Sequence, residues 1–316
     1  MIILGVESTA HTFGIGIVTD KGGILANVKD SYTSKDAGMI PHEIAEHHEK
    51  VAEKILLEAF KTAKLGWEDI DLVAYSAGPG LDPALWKGYH IVAKWAKEHN
   101  IKLVGVNHCC AHLSVGKMWN GLKDPVYLYV SGVNTQVIIQ EKNKYLVLGE
   151  TLDIGLGNML DKFGRILDLG FPAGPKIEEL AKKGKYVELP YVVKGMDVSF
   201  SGLLTKAQQL FEQKKAAKED LCFSLQETCF AMCAEVAERA LAHTGKKELL
   251  LVGGVGANKR FCEMLELMCR ERSAKFYQVP ADLAGDQGAM IAWEGFLRKD
   301  EIKEMTVDPH WRADET

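Results

Sequence analysis

Apolar residues along this chain fall into short runs whose spacing separates strands from helices. Met1 to Val6 reads as a buried strand, Phe13 to Val18 as a second and Ile24 to Val28 as a third. The polar turn Glu7-Ser8-Thr9-Ala10-His11-Thr12 and the charged turn Asp20-Lys21-Gly22-Gly23 join them. A loop containing Gly38 leads to Pro41, well placed to open a helix. From His42 onward, Ile44, His48, Val51, Ile55, Leu56, Ala59 and Phe60 keep helical spacing to about Ala63. Leu72 to Ser76 is the next strand. After the loop Gly78 to Pro83, Trp86, Ile91, Val92 and Trp95 mark the buried side of a second helix. Leu103 to Val106 is a strand, and His108 to Trp119 a helix with Asn107 as its N-cap and Asn120-Gly121 as its stop.

At Lys123-Asp124-Pro125 the opening pattern restarts. Val126 to Val130, Thr135 to Gln140 and Tyr145 to Leu148 read as three strands, joined by the hydroxyl-bearing turn Ser131-Gly132-Val133-Asn134 and a charged turn from Glu141 to Lys144. This is an internal duplication of pattern rather than of identity. A helix bearing Asp161, Phe163 and Leu167 follows, the stretch Gly170 to Pro175 starts another that carries Glu178, and two more run from about Leu203 to Glu212 and Glu219 to His243, with residues 190 to 202 irregular. Leu249 to Val252 and Phe276 to Val279 are strands. Gly253-Gly254-Val255-Gly256-Ala257-Asn258 and Gly285-Asp286-Gln287-Gly288 each open a helix. The pattern divides the chain into residues 1–124, residues 125–284, and residues 285–316, a closing helix that returns to the first domain plus a polar, mobile tail from Thr306. Strands and helices alternate in both halves, so the class is α/β with mixed sheets.

The length of 316 residues also favours two cores over one. No apolar run approaches a membrane span, and no basic leader precedes the first strand. Seven cysteines form no C-x-x-C pair and sit mostly in helical apolar positions, the usage of reduced cytoplasmic thiols. A net charge of −5 removes the bulk basic footprint of a protein that binds RNA unaided, so a local patch or a basic partner must supply that attraction.

Chemistry concentrates at a few places. Residues four apart on a helix lie one above the other, so His108 and His112 direct two imidazoles to one point beyond a strand end, where open α/β sheets place ligands. Such a pair suits Zn²⁺ or Fe²⁺; the same spacing also suits two packed histidines. The glycine turn at Gly253-Gly254 between strand and helix suits phosphate, although it is neither a Walker loop nor a complete dinucleotide motif. Asp161, Glu178 and the Gly174 turn suit ribose hydroxyls, or are solvated helix faces. A metallopeptidase is disfavoured. His42 and His47 are five apart rather than four, and Cys109 stands where a zincin has its glutamate base. A non-catalytic ATP-binding scaffold is the other rival.

The Ser8-Thr9 and Ser131-Gly132-Val133-Asn134-Thr135 turns resemble the paired phosphate hairpins of actin-like ATPases, but lack the aspartate that organises Mg²⁺ in the kinases among them. Lys87-Gly88, Asn107-His108-Cys109-Cys110-Ala111-His112, Tyr129-Val130-Ser131-Gly132, Asp161-Lys162, Met196 to Leu203, Gly253 to Asn258 and Asp286 to Met290 occur in that order. From about Ile2 to Trp293 the chain resembles the tRNA threonylcarbamoyltransferases, once labelled O-sialoglycoprotein endopeptidases. It is most similar to the archaeal and eukaryotic branch, the catalytic subunit of the KEOPS complex. The resemblance implies a two-domain actin-like (ASKHA, duplicated ribonuclease H-like) fold with an interdomain cleft. It implies transfer of threonylcarbamoyl from threonylcarbamoyl-adenylate to N6 of the tRNA adenosine 3′ of the anticodon. By the same resemblance, His108, His112, Tyr129 and Asp286 hold one iron or zinc ion and form the catalytic centre. Tyr129, Ser131, Asp161, Gly174, Glu178, Gly253, Gly254 and Asn258 are the residues it sets around ATP or the adenylate. It implies tRNA and KEOPS-type kinase and small subunits as partners. Two residues depart from the family pattern: Val133, which would crowd backbone approach to a phosphate, and Gln287 in place of asparagine. His11 and His42 are candidate general bases.

Overall fold

The computed structural model describes residues 1–33, 40–142, 144–301 and 306–316. The expected Gly38 loop and residue 143 of the Glu141–Lys144 turn lie outside them. The chain divides into two compact units, Met1–Trp119 with Gly285–Thr316, and Asn120–Ala284.

In the first unit, β1 (Ile2–Glu7), β2 (Thr12–Thr19) and β3 (Ile24–Ser31) form an antiparallel meander. Then come α1 (Pro41–Ala63), β4 (Leu72–Gly78), α2 (Asp82–Glu98), β5 (Lys102–Asn107) and α3 (His108–Trp119). β4 joins the free side of β1 in parallel and β5 joins β4, giving the order β3-β2-β1-β4-β5. The apolar continuity of these strands follows from burial on both faces. Leu4, Val6 and Ile15 pack with Ile55, Leu56 and Trp95 on one side, and Ile3, Leu72 and Ala74 pack with Ala111 and Val115 on the other. Trp86 departs from expectation. It is 37% exposed and packs against Tyr89 and His90. The buried stripe of α2 runs through Leu85, Gly88, Val92 and Trp95, and Trp86 lies one residue out of that phase.

The second unit repeats the scheme. β6 (Val126–Val130), β7 (Thr135–Glu141) and β8 (Lys144–Glu150) form the meander. α4 (Leu156–Ile166), α5 (Gly174–Ala181), the short pair β9 (Val193–Lys194) and β10 (Asp197–Val198), α6 (Ser201–Glu212) and α7 (Lys218–Thr244) follow. β11 (Glu248–Val252), α8 (Lys259–Glu271), β12 (Lys275–Gln278) and α9 (Ala281–Ala284) complete it. The order β12-β11-β6-β7-β8, with β11 and β12 parallel to β6, is that of the first sheet. The stretch expected to be irregular thus contains the β9–β10 pair, and Asp153 organises its exit. Its carboxylate accepts hydrogen bonds from the Ser199 hydroxyl and from the Phe200 and Ser201 N–H groups at the start of α6.

The chain then returns to the first unit as α10 (Gly288–Leu297), which packs on β1 and β2. A Cβ at Gly16 would lie 2.1 Å from the Ala289 nitrogen, and one at Gly5 2.1 Å from the Ala292 nitrogen. Glycine in both strands is what lets the helix backbone come this close. The expectation of a free polar tail is corrected here. The Asp308 N–H donates to the Ala77 carbonyl and the Gly80 N–H to that of Pro309, while Trp311 is buried in the α1–α2 core. The tail is held through backbone groups and one aromatic side chain, which leave no periodic pattern.

Candidate functional site

The first unit brings three metal-capable groups together: His108, His112 and Asp286. Asn107 accepts the N–H groups of Cys109 and Cys110 at 2.9 and 3.1 Å, starting α3 directly at the end of β5. The two histidines then follow on one face, ring centroids 4.8 Å apart and nearly perpendicular. Asp286 sits just before α10, which Gln287 caps through the Met290 N–H. Asp286 Oδ1 lies 3.6 Å from His108 Nε2 and 3.3 Å from His112 Nε2. A tetrahedral ion with bonds near ~2.1 Å separates its donors by roughly 3.4 Å. Both imidazole-to-carboxylate separations are close to that value, and all three ligand atoms lie within 4.8 Å of one another, a grouping that can hold one transition metal.

Glu7, the last residue of β1, is a further member of the site that its sequence neighbourhood does not mark. It is wholly buried, and its Oε2 is 2.8 Å from His108 Nδ1. Its Oε1 accepts from the Thr9 N–H at 2.7 Å and from the Thr9 hydroxyl at 2.5 Å. With Nδ1–H donated to Glu7, Nε2 faces Asp286, the arrangement in which a carboxylate fixes the tautomer of a metal-binding histidine. Burial disfavours the imidazolium of His108, but the Glu7 charge and hydrogen bond outweigh it and push the pKa up to about 9. Burial pulls His112 the other way, below its ordinary value. Burial would raise Asp286, yet the hydrogen bond from His112 and the charges of both histidines hold it well below the usual carboxylate range. Charged and hydrogen-bonding groups are thus set against one another around one point, as expected at a functional centre. Cys109 and Cys110 are buried away from it, the Cys110 sulfur 3.2 Å from the Thr316 hydroxyl. His42 is exposed on the first turn of α1.

In the second unit, the expected nucleotide residues form a chain of neighbours. The Ser131 turn closes on itself from Ser131 N–H to Asn134 carbonyl, and α4 begins against it, with the Gly157 N–H donating to the Ser131 carbonyl. Val133 is 68% exposed at the tip. Gly253 takes φ +94, and its α-carbon leaves no room for a Cβ, which would meet the Val130 carbonyl at 2.4 Å. At Gly254 and Gly174 a Cβ would meet nothing within 4 Å, so both backbones border open space. Asp161 Oδ1 accepts the Ala173 N–H at 2.8 Å, setting the turn that presents Gly174; burial raises its pKa. Glu178 Oε1 accepts the Lys259 N–H at 3.0 Å, tying α5 to the start of α8. Asn258 is already committed as an N-cap, accepting from Phe261 N–H and donating to Gln226. Tyr129 is buried on β6, opposite Val252.

A family profile described as tRNA N6-adenosine threonylcarbamoyltransferase matches residues 23–293. A protein of that name from Thermococcus kodakarensis is 53% identical over the whole chain and 98% of its own length. One from Archaeoglobus fulgidus is 53% identical over 94% of this chain and 91% of its own. A Methanocaldococcus jannaschii protein named probable bifunctional tRNA threonylcarbamoyladenosine biosynthesis protein is 48% identical over 99% of the chain, which spans 59% of that longer protein. Among solved structures, HypF of T. kodakarensis aligns with TM-score 0.63 at 16% identity, over 94% of this chain and 47% of HypF. The 2-hydroxyisocaproyl-CoA dehydratase activator of Clostridium difficile aligns with TM-score 0.54 at 13% identity, over 97% and 100%. These similarities carry the fold, and it is actin-like. Sequence identity of about one half over the full chain carries more: this chain belongs to the tRNA N6-adenosine threonylcarbamoyltransferases, enzymes that form threonylcarbamoyladenosine in tRNA.

Proposed function

We propose that the reaction depends on one iron or zinc ion held by His108, His112 and Asp286, and that the donor is threonylcarbamoyl-adenylate. The observation that carries this reading is the Glu7–His108 contact behind three converging ligand atoms, because a packed histidine pair has no need of a wholly buried carboxylate. Bound there, the ion would stabilise negative charge developing on the attacked carbamoyl oxygen. The tRNA adenine N6 attacks the carbamoyl carbon; the new C–N bond replaces the bond to the adenylate oxygen, AMP leaves with that oxygen, and the N6 proton passes to solvent. Glu7 keeps the His108 ring oriented through this. Gly253 and Gly254 offer backbone to phosphate, Asp161, Gly174 and Glu178 offer polar groups to the ribose, and Ser131 borders the same turn. Asn258, near the base, acts by fixing the α8 terminus. Tyr129 as an additional oxygen ligand belongs to the same proposal.

The target is N6 of the adenosine 3′ of the anticodon, a base the loop can present unpaired. We place the work in the cytoplasm, where seven free thiols persist. No helix of the described residues is long and apolar enough to cross a membrane. KEOPS-type kinase and small subunits are the proposed partners, and the longer relative named bifunctional supports a second activity working beside this one. The test is threonylcarbamoyl transfer from the adenylate to tRNA by the purified chain, with and without those partners, across a salt series. We expect poor transfer alone and salt-sensitive restoration by partners; full transfer alone would contradict the partner requirement.

A further inference from the structure

Although the chain carries a net charge of −5, residues 182–218 hold eight lysines against three carboxylate residues. The fold gathers the two ends of that stretch. Lys182, Lys183 and Lys185 lie in the turn after α5, and Lys214, Lys215 and Lys218 lie where α6 passes into α7; all six are exposed. Gly184 abuts the Glu219 carbonyl, and the Lys185 N–H donates to Asp220 Oδ1 at 2.7 Å. The Ser224 hydroxyl accepts the Val187 N–H at 2.6 Å and lies 2.7 Å from the Asp220 carbonyl, fixing the first turn in place. Lys214, Lys215 and Lys218 line an open hollow with Phe211 and the same Asp220. Both lysine turns therefore meet on the first turn of α7.

Lys182 pairs with Glu179 at 2.5 Å, while Lys183, Lys185, Lys214, Lys215 and Lys218 have no ion-pair partner among the described residues. Like charges held together on fixed turns repel one another and add nothing to folding, so their concentration calls for an anionic ligand. Ammonium groups on flexible stems suit phosphates as point charges, without reading sequence. We propose that this end of α7 is a docking surface for the phosphate backbone of tRNA. The proposal rests on tRNA being the substrate, and it supplies the local basic patch that the overall charge does not.

The test is tRNA binding by the full chain, followed by fluorescence anisotropy from low to moderate salt. It compares the unaltered protein, the triple variant Lys214→Gln, Lys215→Gln, Lys218→Gln, and the triple variant Lys182→Gln, Lys183→Gln, Lys185→Gln. The control is Lys50→Gln, Lys94→Gln, Lys97→Gln on α1 and α2. Each patch variant should weaken binding about tenfold at low salt and flatten the salt slope by roughly 2, the control changing neither. Transfer by the unaltered chain with the kinase and small subunits supplied reports separately on tRNA as the substrate. Unchanged affinity and slope in both patch variants, an equal loss in the control, or no measurable binding by the unaltered chain at low salt would overturn the proposal.

Discussion

A carboxylate with no exposed surface must be matched by donors, and Glu7 is matched by the Thr9 N–H, the Thr9 hydroxyl and His108 Nδ1. Glu7→Gln keeps the shape and removes the charge that holds the imidazole. Loss of such an outer partner lowers metal affinity about 10–100-fold. Chelator competition on the variant should show that loss with the thermal transition still cooperative; unchanged affinity would make Glu7 merely structural. His108 and His112 were legible in the sequence because helical spacing alone puts them on one face. Glu7 was not, because nothing local distinguishes a strand-end glutamate facing solvent from one facing a histidine 101 residues away. Asn258 shows the converse: a residue marked for a ligand by resemblance also serves as a helix cap.

At the scale of elements, the start of α3 is fixed from two directions. Asn107 accepts from the helix through its oxygen and donates its amide to the Trp311 and Arg312 carbonyls at 3.0 and 3.2 Å. The C-terminal tail thereby holds the cap of the helix that bears both histidines. Trp311→Ala should cost about 3–5 kcal/mol if the void does not collapse. It should also weaken metal retention, because the carbonyls that hold Asn107 lose their anchor. Denaturant unfolding and metal retention of Trp311→Ala check this; wild-type stability would show the tail to be a passive extension. Amphipathic spacing made α1, α2 and the meanders readable. The docked tail was not, since its contacts run through backbone carbonyls. The β9–β10 pair was missed because two-residue strands are too short to show alternation.

For the whole molecule, the restart of the strand pattern at Val126 is the sequence trace of two sheets with one topology, and that symmetry was legible without a single shared motif. Charge at this scale argues for dependence on partners: a chain with a net charge of −5 has little of the excess Lys and Arg that drives RNA affinity, and the lysine cluster at one end of α7 supplies only a local share of it. The central claim remains the metal centre, and one experiment addresses it directly. Metal content by elemental analysis and threonylcarbamoyl transfer to tRNA, with partners supplied, would be measured for the unaltered chain and for His108→Ala with His112→Ala. The account predicts about one iron or zinc per chain in the first, and loss of both metal and transfer in the second with cooperative unfolding retained. Undiminished metal or undiminished transfer in the double variant would contradict it.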